Sequence, residues 1–133
     1  VTTYVDTSAL LKRYVDEPDS ERATALLGAD PQLVTGRHTV VELRRNLARV
    51  LTATDAAAAR AAFAEDMASL SIIELDAPTC ELAATIAEQT GVRTLDALHL
   101  GAALRLGPAM TFLTFDVRQA QAARALGFAV IGA

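Results

Sequence analysis

Apolar positions recur along the chain in two alternating rhythms. Short β-prone runs fall at residues 2–5, 33–35, 72–75, 111–115 and 128–131. Between them, apolar residues return at helical spacing. Residues 8–15 (SALLKRYV) gather Leu10, Leu11 and Tyr14 on one face, and a break at 17–20 leads to a second helix over 20–27, ended by Gly28. In 39–53 the periodic positions are Val40, Leu43, Leu47 and Val50. An alanine-rich helix is predicted over 55–70, capped by Thr54 or Asp55, and another over 76–90, opened by Asp76 and Pro78 and stopped by Gly91. Two more helices, 95–106 and 117–126, close at Gly107-Pro108 and Gly127. Strands separated by helices favour a parallel sheet covered on both faces. The expected fold is a three-layer α/β/α, Rossmann-like domain with a short, mostly parallel sheet, spanning residues 1–133 as one domain.

Composition narrows the class. With 133 residues, 52% of them hydrophobic, the chain buries a core without help from disulfides. It is too apolar to be disordered. No apolar run approaches the ~20 residues of a membrane span. The first apolar stretch is broken by Asp6, Lys12 and Arg13, unlike a signal peptide. The lone Cys80 excludes an internal disulfide and fits a reducing, cytoplasmic setting. Cys80, His38 and His99 are too few for a Cys/His zinc site. A net charge of −4 argues against a protein that coats nucleic acid, but not against an enzyme that acts on it.

The placement of the acids says more than their number. Asp6 follows the first strand, Asp116 follows the run 111–115, and Asp96 opens the helix 95–106. In a parallel sheet, Asp6 and Asp116 emerge at the same edge, where such folds bind ligands. Each has a plain alternative role as a helix cap, favoured by free amides and the helix dipole. Capping alone is expected for Asp19, Asp55 and Asp76. Two unit charges about 4 Å apart repel by roughly 4 kcal/mol at an effective dielectric near 20. A cluster of carboxylates therefore calls for a cation, and hard oxygen ligands select Mg²⁺ or Mn²⁺. Glu42, in the first turn of 39–53, is the fourth candidate; its competing role is an exposed pair with Arg45, three residues on. Free carboxylates in such a pocket are expected to have raised pKa values.

Four stretches resemble the PIN-domain family, and within it the VapC-type toxins of bacterial toxin–antitoxin pairs. They are Tyr4-Val-Asp6-Thr-Ser8-Ala-Leu, Val40-Val-Glu42-Leu-Arg-Arg, Arg93-Thr-Leu-Asp96-Ala-Leu-His99-Leu, and Thr111-Phe-Leu-Thr114-Phe-Asp116 with the helix and Leu126-Gly127-Phe128 after it. The likeness runs in order along essentially the whole chain. It departs at Gly36, near where many family members carry a serine. The resemblance implies a Mg²⁺-dependent endoribonuclease, with Mn²⁺ as a substitute. Asp6, Glu42, Asp96 and Asp116 would form the catalytic, metal-binding pocket. Asp6 and Asp96 would be the primary ligands, Asp116 a further ligand, and Glu42 would act through water. Ser8 and Thr114 would orient carboxylates or water. The implied partners are a structured RNA, a small VapB-like antitoxin and a second copy of the chain, with no membrane.

His99 lies on the same side of its helix as Asp96; packing is its expected role, with a hydrogen bond to a carboxylate as the alternative. No partner is assigned to His38. Arg37, Arg44, Arg45 and Arg49 either track an RNA backbone or form a solvated face. Arg93 either holds a phosphate or balances the pocket. Aromatic residues make up only 5% of the chain, which argues against a base-stacking platform. A phosphatase with an aspartate nucleophile would want a second Asp where Ser8 stands. A receiver domain would want a late lysine, and the one lysine is Lys12. The competing classes are a PIN nuclease that is not a toxin and a non-catalytic binding module of the same fold. Pairs such as Leu10/Leu11 and Val40/Val41 place apolar residues on more than one helix side, leaving surface for a partner helix.

Overall fold

A computed structural model describes residues 2–133; Val1 lies outside the described residues. The chain runs β1 (Thr3–Val5), α1 (Thr7–Leu11), α2 (Ser20–Ala29), β2 (Leu33–Gly36), α3 (His38–Val50), α4 (Ala53–Met67), β3 (Ser71–Ile73), α5 (Ala77–Thr90), α6 (Thr94–Leu104), β4 (Thr111–Thr114), α7 (Val117–Ala125) and β5 (Ala129–Gly132). The five strands form one sheet in the order β3-β2-β1-β4-β5. Every pairing is parallel. β1 sits at the centre, and the strand order reverses between β1 and β4.

Alternation along the strands splits the core between the two faces of the sheet. Tyr4 and Phe112 point to one side, where they pack with Ala83 and Ile86 of α5, Leu100 of α6 and Ala123 of α7. Val5 and Leu113 point to the other, with Leu10 of α1, Leu27 of α2, Leu43 and Leu47 of α3 and Phe63 of α4. The result is the expected α/β/α sandwich. On the first side α5 and α6 approach closely because position 101 is glycine: a Cβ there would stand 2.9 Å from the Ala83 amide nitrogen.

Several helix ends differ from the sequence pattern. The helix expected over 8–15 is α1, and it stops at Leu11. Beyond it the amides of Arg13 and Tyr14 bond the carbonyls three residues back, which tightens the chain into turns. The Ser20 hydroxyl then accepts from the Glu17 amide and donates to the Val15 carbonyl. With that hydroxyl holding the turn, Asp19 makes no side-chain cap, contrary to expectation. Asp55 does not cap α4 either: Thr52 does, its hydroxyl accepting from the Asp55 amide. Asp76 caps α5 as expected.

Candidate active site

The switch point between β1 and β4 gathers the acids. The register pairs Val5 with Leu113, and the Asp6 amide donates to the Leu113 carbonyl. Asp6 and Asp116 therefore leave the carboxyl edge side by side, as acids following adjacent parallel strands must. Asp6, Ser8, Glu42, Asp96 and Asp116, together with Thr7, Arg93 and His99, line one pocket of about 240 Å³.

Asp6 forms the pocket floor at only 3% exposure. Its Oδ1 accepts from the Ser8 hydroxyl at 2.7 Å and from the Ala9 amide at 3.1 Å, while Oδ2 accepts from Thr114. It is thus both a cap for α1 and a pocket acid. Ser8 and Thr114, the two hydroxyl residues expected to orient carboxylates, both bond Asp6. The Thr114 hydroxyl also accepts from the Asp116 amide at 3.1 Å, tying the two acids through one side chain. Asp116 caps α7 through the Gln119 amide. Gln119, fully buried, donates its side-chain amide to the Asp96 carbonyl at 3.1 Å. One residue thereby links the starts of α6 and α7, and with them Asp96 and Asp116. Nothing in the sequence pattern singled Gln119 out.

Glu42 is held differently. It does not pair with Arg45 at the surface. Its Oε1 accepts from the Thr7 hydroxyl at 2.8 Å and from His99 Nε2 at 2.9 Å. His99 is buried, as expected of a packing residue, but it is also part of the pocket. Its Nδ1 stands 2.8 Å from the Tyr4 hydroxyl. Beside it lies His38, with the two ring centroids 4.0 Å apart. Gly36 makes room for that packing: a Cβ at position 36 would fall 2.6 Å from the His38 ring and 2.9 Å from the Tyr4 hydroxyl. The departure from serine at position 36 is therefore matched by the ring that fills the space.

The electrostatics divide along the same line. Burial raises the Asp6 carboxyl, against the lowering pull of His99 and of the Thr114 and Ser8 bonds. Burial, then the Asp116 charge, raises Asp96. Glu42 departs from the expectation of raised values throughout: burial acts to raise it, but the His99 and Thr7 hydrogen bonds and the nearby imidazoles hold it below the usual carboxylate range. Burial, and then the charge of His99, push His38 down to about 4, so it is neutral at pH 7. Arg93 Nε lies 3.7 Å from Asp96 Oδ2 at the pocket mouth.

The donor set fits a hard divalent ion in its chemistry, because the acids contribute carboxylate oxygens, and burial holds two of them, Asp6 and Asp96, with raised pKa. Ligand atoms of three residues come within 4.8 Å of one another in one group among the described residues, and that group is His38, Glu42 and His99. The three aspartates share the pocket without closing to that spacing, as mutually repelling charges do. Of the arginines, Arg37 pairs with Glu74, whereas Arg44, Arg45 and Arg49 are exposed on α3.

Fold and site together define a small parallel α/β domain carrying a carboxylate pocket at its topological switch point. The chain belongs to the PIN domain family, which matches residues 3–125. It is 36% identical over 130 residues to Ribonuclease VapC47 of Mycobacterium tuberculosis, covering 94% of this chain and 92% of that protein. It is 35% identical over 129 residues to Ribonuclease VapC46 of the same species, covering 96% and 95%. Among solved structures, FitAcB from Neisseria gonorrhoeae superposes with a TM-score of 0.77 at 22% identity over 97% of this chain and 96% of that one. Mycobacterium tuberculosis VapC20, a Sarcin-Ricin loop cleaving toxin, superposes with a TM-score of 0.72 at 20% identity over 99% and 98%. These two likenesses bear on the fold.

Proposed function

We propose that residues 1–133 form a single PIN domain acting as a Mg²⁺- or Mn²⁺-dependent endoribonuclease, the VapC-type toxin of a toxin–antitoxin pair. The observation that carries this reading is the convergence of Asp6, Glu42, Asp96 and Asp116 on one pocket at the β1/β4 switch point. Similarity to named ribonucleases over nearly the whole chain supports it. Asp6, Asp96 and Asp116 would hold the ion, with Glu42 reaching it through water. When bound, such an ion neutralises phosphate charge and lowers the pKa of water at the scissile bond.

The chain's own residues do the rest. Ser8 and Thr114 fix the Asp6 carboxylate through both of its oxygens, so that it meets its target without rotamer search. The low pKa of Glu42 keeps it ionised and accepting at neutral pH. Arg93, exposed at the pocket mouth, is placed to meet an RNA phosphate. No side-chain nucleophile is required, and Cys80 lies exposed on α5, away from the pocket-lining residues.

The natural regulator on this reading is a small VapB-like antitoxin whose segment covers the pocket, with an arginine or lysine answering its negative charge. Val41, 70% exposed on α3 next to Glu42, offers apolar surface beside it. A homodimer and a cytoplasmic setting complete the proposal; no helix among the described residues is long and apolar enough to cross a membrane.

The test is incubation of the purified protein with total transfer RNA and with ribosomal RNA hairpins in Mg²⁺, in Mn²⁺ and in EDTA. Cleavage that requires the divalent ion and vanishes in Asp6→Asn is expected. Expression should arrest growth, and co-expression of the neighbouring small open reading frame should relieve it. Cleavage persisting in EDTA, or at wild-type rate in Asp6→Asn, overturns the reading.

A further inference from the structure

Glu42 is only part-buried, yet the residues that hold it form a chain. Thr7 and His99 both address the same oxygen, Oε1, at 2.8 and 2.9 Å. Neither bond goes to Oε2. A carboxylate oxygen only accepts, so His99 Nε2 carries the proton. The Tyr4 hydroxyl, 2.8 Å from Nδ1, holds the ring by its other nitrogen. Tyr4 is itself fixed, fully buried and stacked on Phe112 with ring centroids 5.2 Å apart.

His38 completes the arrangement from the other side. Its ring is more than nine-tenths buried, and neither nitrogen has a hydrogen-bond partner among the described residues. Burying an imidazole without partners costs free energy, so packing at this position must repay it. What the ring packs against is His99, with the Glu42 carboxylate 3.8 Å from His38 Nε2. A neutral ring there excludes water from the His99–Glu42 bond, and hydrogen bonds between a donor and an ionised acceptor strengthen when water is excluded.

We propose that His99 is a positioning residue for Glu42: its Nε2–H, oriented by Tyr4 and shielded by His38, locks Oε1 and leaves Oε2 as the oxygen presented to the pocket. This rests on the proposed metal-dependent nuclease reading and extends it by assigning the group that sets the Glu42 rotamer. His99 acts on the reaction through Glu42 alone. The histidine contributes by donating a hydrogen bond, and an amide that reaches the same place does the same work.

The experiment is a double-mutant cycle on the purified full chain. Mn²⁺ affinity is read by calorimetry, and cleavage of total transfer RNA in Mn²⁺ is read alongside. His99→Leu is expected to weaken Mn²⁺ binding and cleavage by about 10- to 100-fold, the usual cost of losing a group that orients a ligand. In a Glu42→Gln background the same change should cost less than about twofold, because no carboxylate remains to be held. His99→Gln, which returns an amide N–H near Nε2, should recover most of the loss. If His99→Leu does not fold, Tyr4→Phe takes its place in the cycle, expected to cost about tenfold in the wild-type background and less than about twofold with Glu42→Gln.

Equal losses in both backgrounds, or no recovery with Gln, overturn the assignment and leave His99 as packing. Zn²⁺ bound by the wild type and lost equally in His38→Phe and His99→Gln also overturns it, making the two imidazoles and Glu42 a ligand set. A wild type that neither binds Mn²⁺ nor cuts RNA overturns the nuclease reading and this inference with it. A wild type that does both, with an additive cycle, overturns this inference alone.

Discussion

The two halves of the pocket are built on opposite principles. On the α3 side, Glu42 is hydrogen-bonded by Thr7 and His99 and ionises more readily than a free glutamate. On the α6 side, burial and then the Asp116 charge make Asp96 ionise less readily than a free aspartate, against the pull of an exposed arginine 3.7 Å away. One half has hydrogen-bond donors aimed at its carboxylate. The other sets a half-buried carboxylate beside a second one. A site organised in this way is rigid where it must orient and electrostatically incomplete where it must bind.

Substitution at the incomplete half should have the largest effect. Asp96→Asn is expected to reduce RNA cleavage on the order of 10³-fold, since metal stabilisation of charge is worth several kcal/mol at 1.36 kcal/mol per decade. Initial rates in saturating Mg²⁺ measure it. A rate within tenfold of wild type would erase the distinction between the halves.

The next test breaks the organised half. Gly36→Ser places a side chain where the His38 ring and the Tyr4 hydroxyl already stand. Overpacking of this kind typically costs about 1–3 kcal/mol. Denaturant unfolding should show that loss, and Glu42-dependent activity should fall with it. A Gly36→Ser variant as stable as wild type would mean that the His38 ring has another place to go.

A smaller effect separates the halves by pH. The Asp96 pKa is raised in the folded state, so its contribution to stability is full below the unfolded value and is lost as pH rises through the folded one. Asp96→Asn removes that loss. In EDTA the melting temperature of the variant should match wild type near pH 4 and exceed it at pH 8, by at most about 5 °C. Glu42→Gln should behave oppositely. Its lowered pKa gives stability that is present above the unfolded value and lost on acidification, so the variant should melt below wild type at pH 8. Melting curves from pH 4 to 8 decide whether the signs differ.

Much of this was legible in the residue pattern because it follows from local rules. Short β-prone runs located the five strands, glycines marked helix ends, and the position of Asp6 and Asp116 after two of the strands was enough to place both at one edge. Helix ends were less legible. α1 stops at Leu11, and the chain from Val15 to Glu17 beyond it is held by Ser20, a hydroxyl that no window over 8–15 contains. The same nonlocality hid Gln119, whose partner Asp96 is 23 residues away, and the bond between His99 and Glu42, 57 apart. His99 did carry a signal in its spacing from Asp96. That spacing gave the side of the helix but not what stood opposite.

The central pairing of β1 with β4 also sets a timetable. The bond from Thr114 to Asp6 spans 108 residues of chain. Asp6 is made early, yet its carboxylate is not held in place, and Asp116 does not exist beside it, until β4 has been synthesised and has docked against β1. Contacts this distant in sequence form late and slowly. A ribosome translating this chain therefore carries no assembled pocket while it makes the residues between β1 and β4.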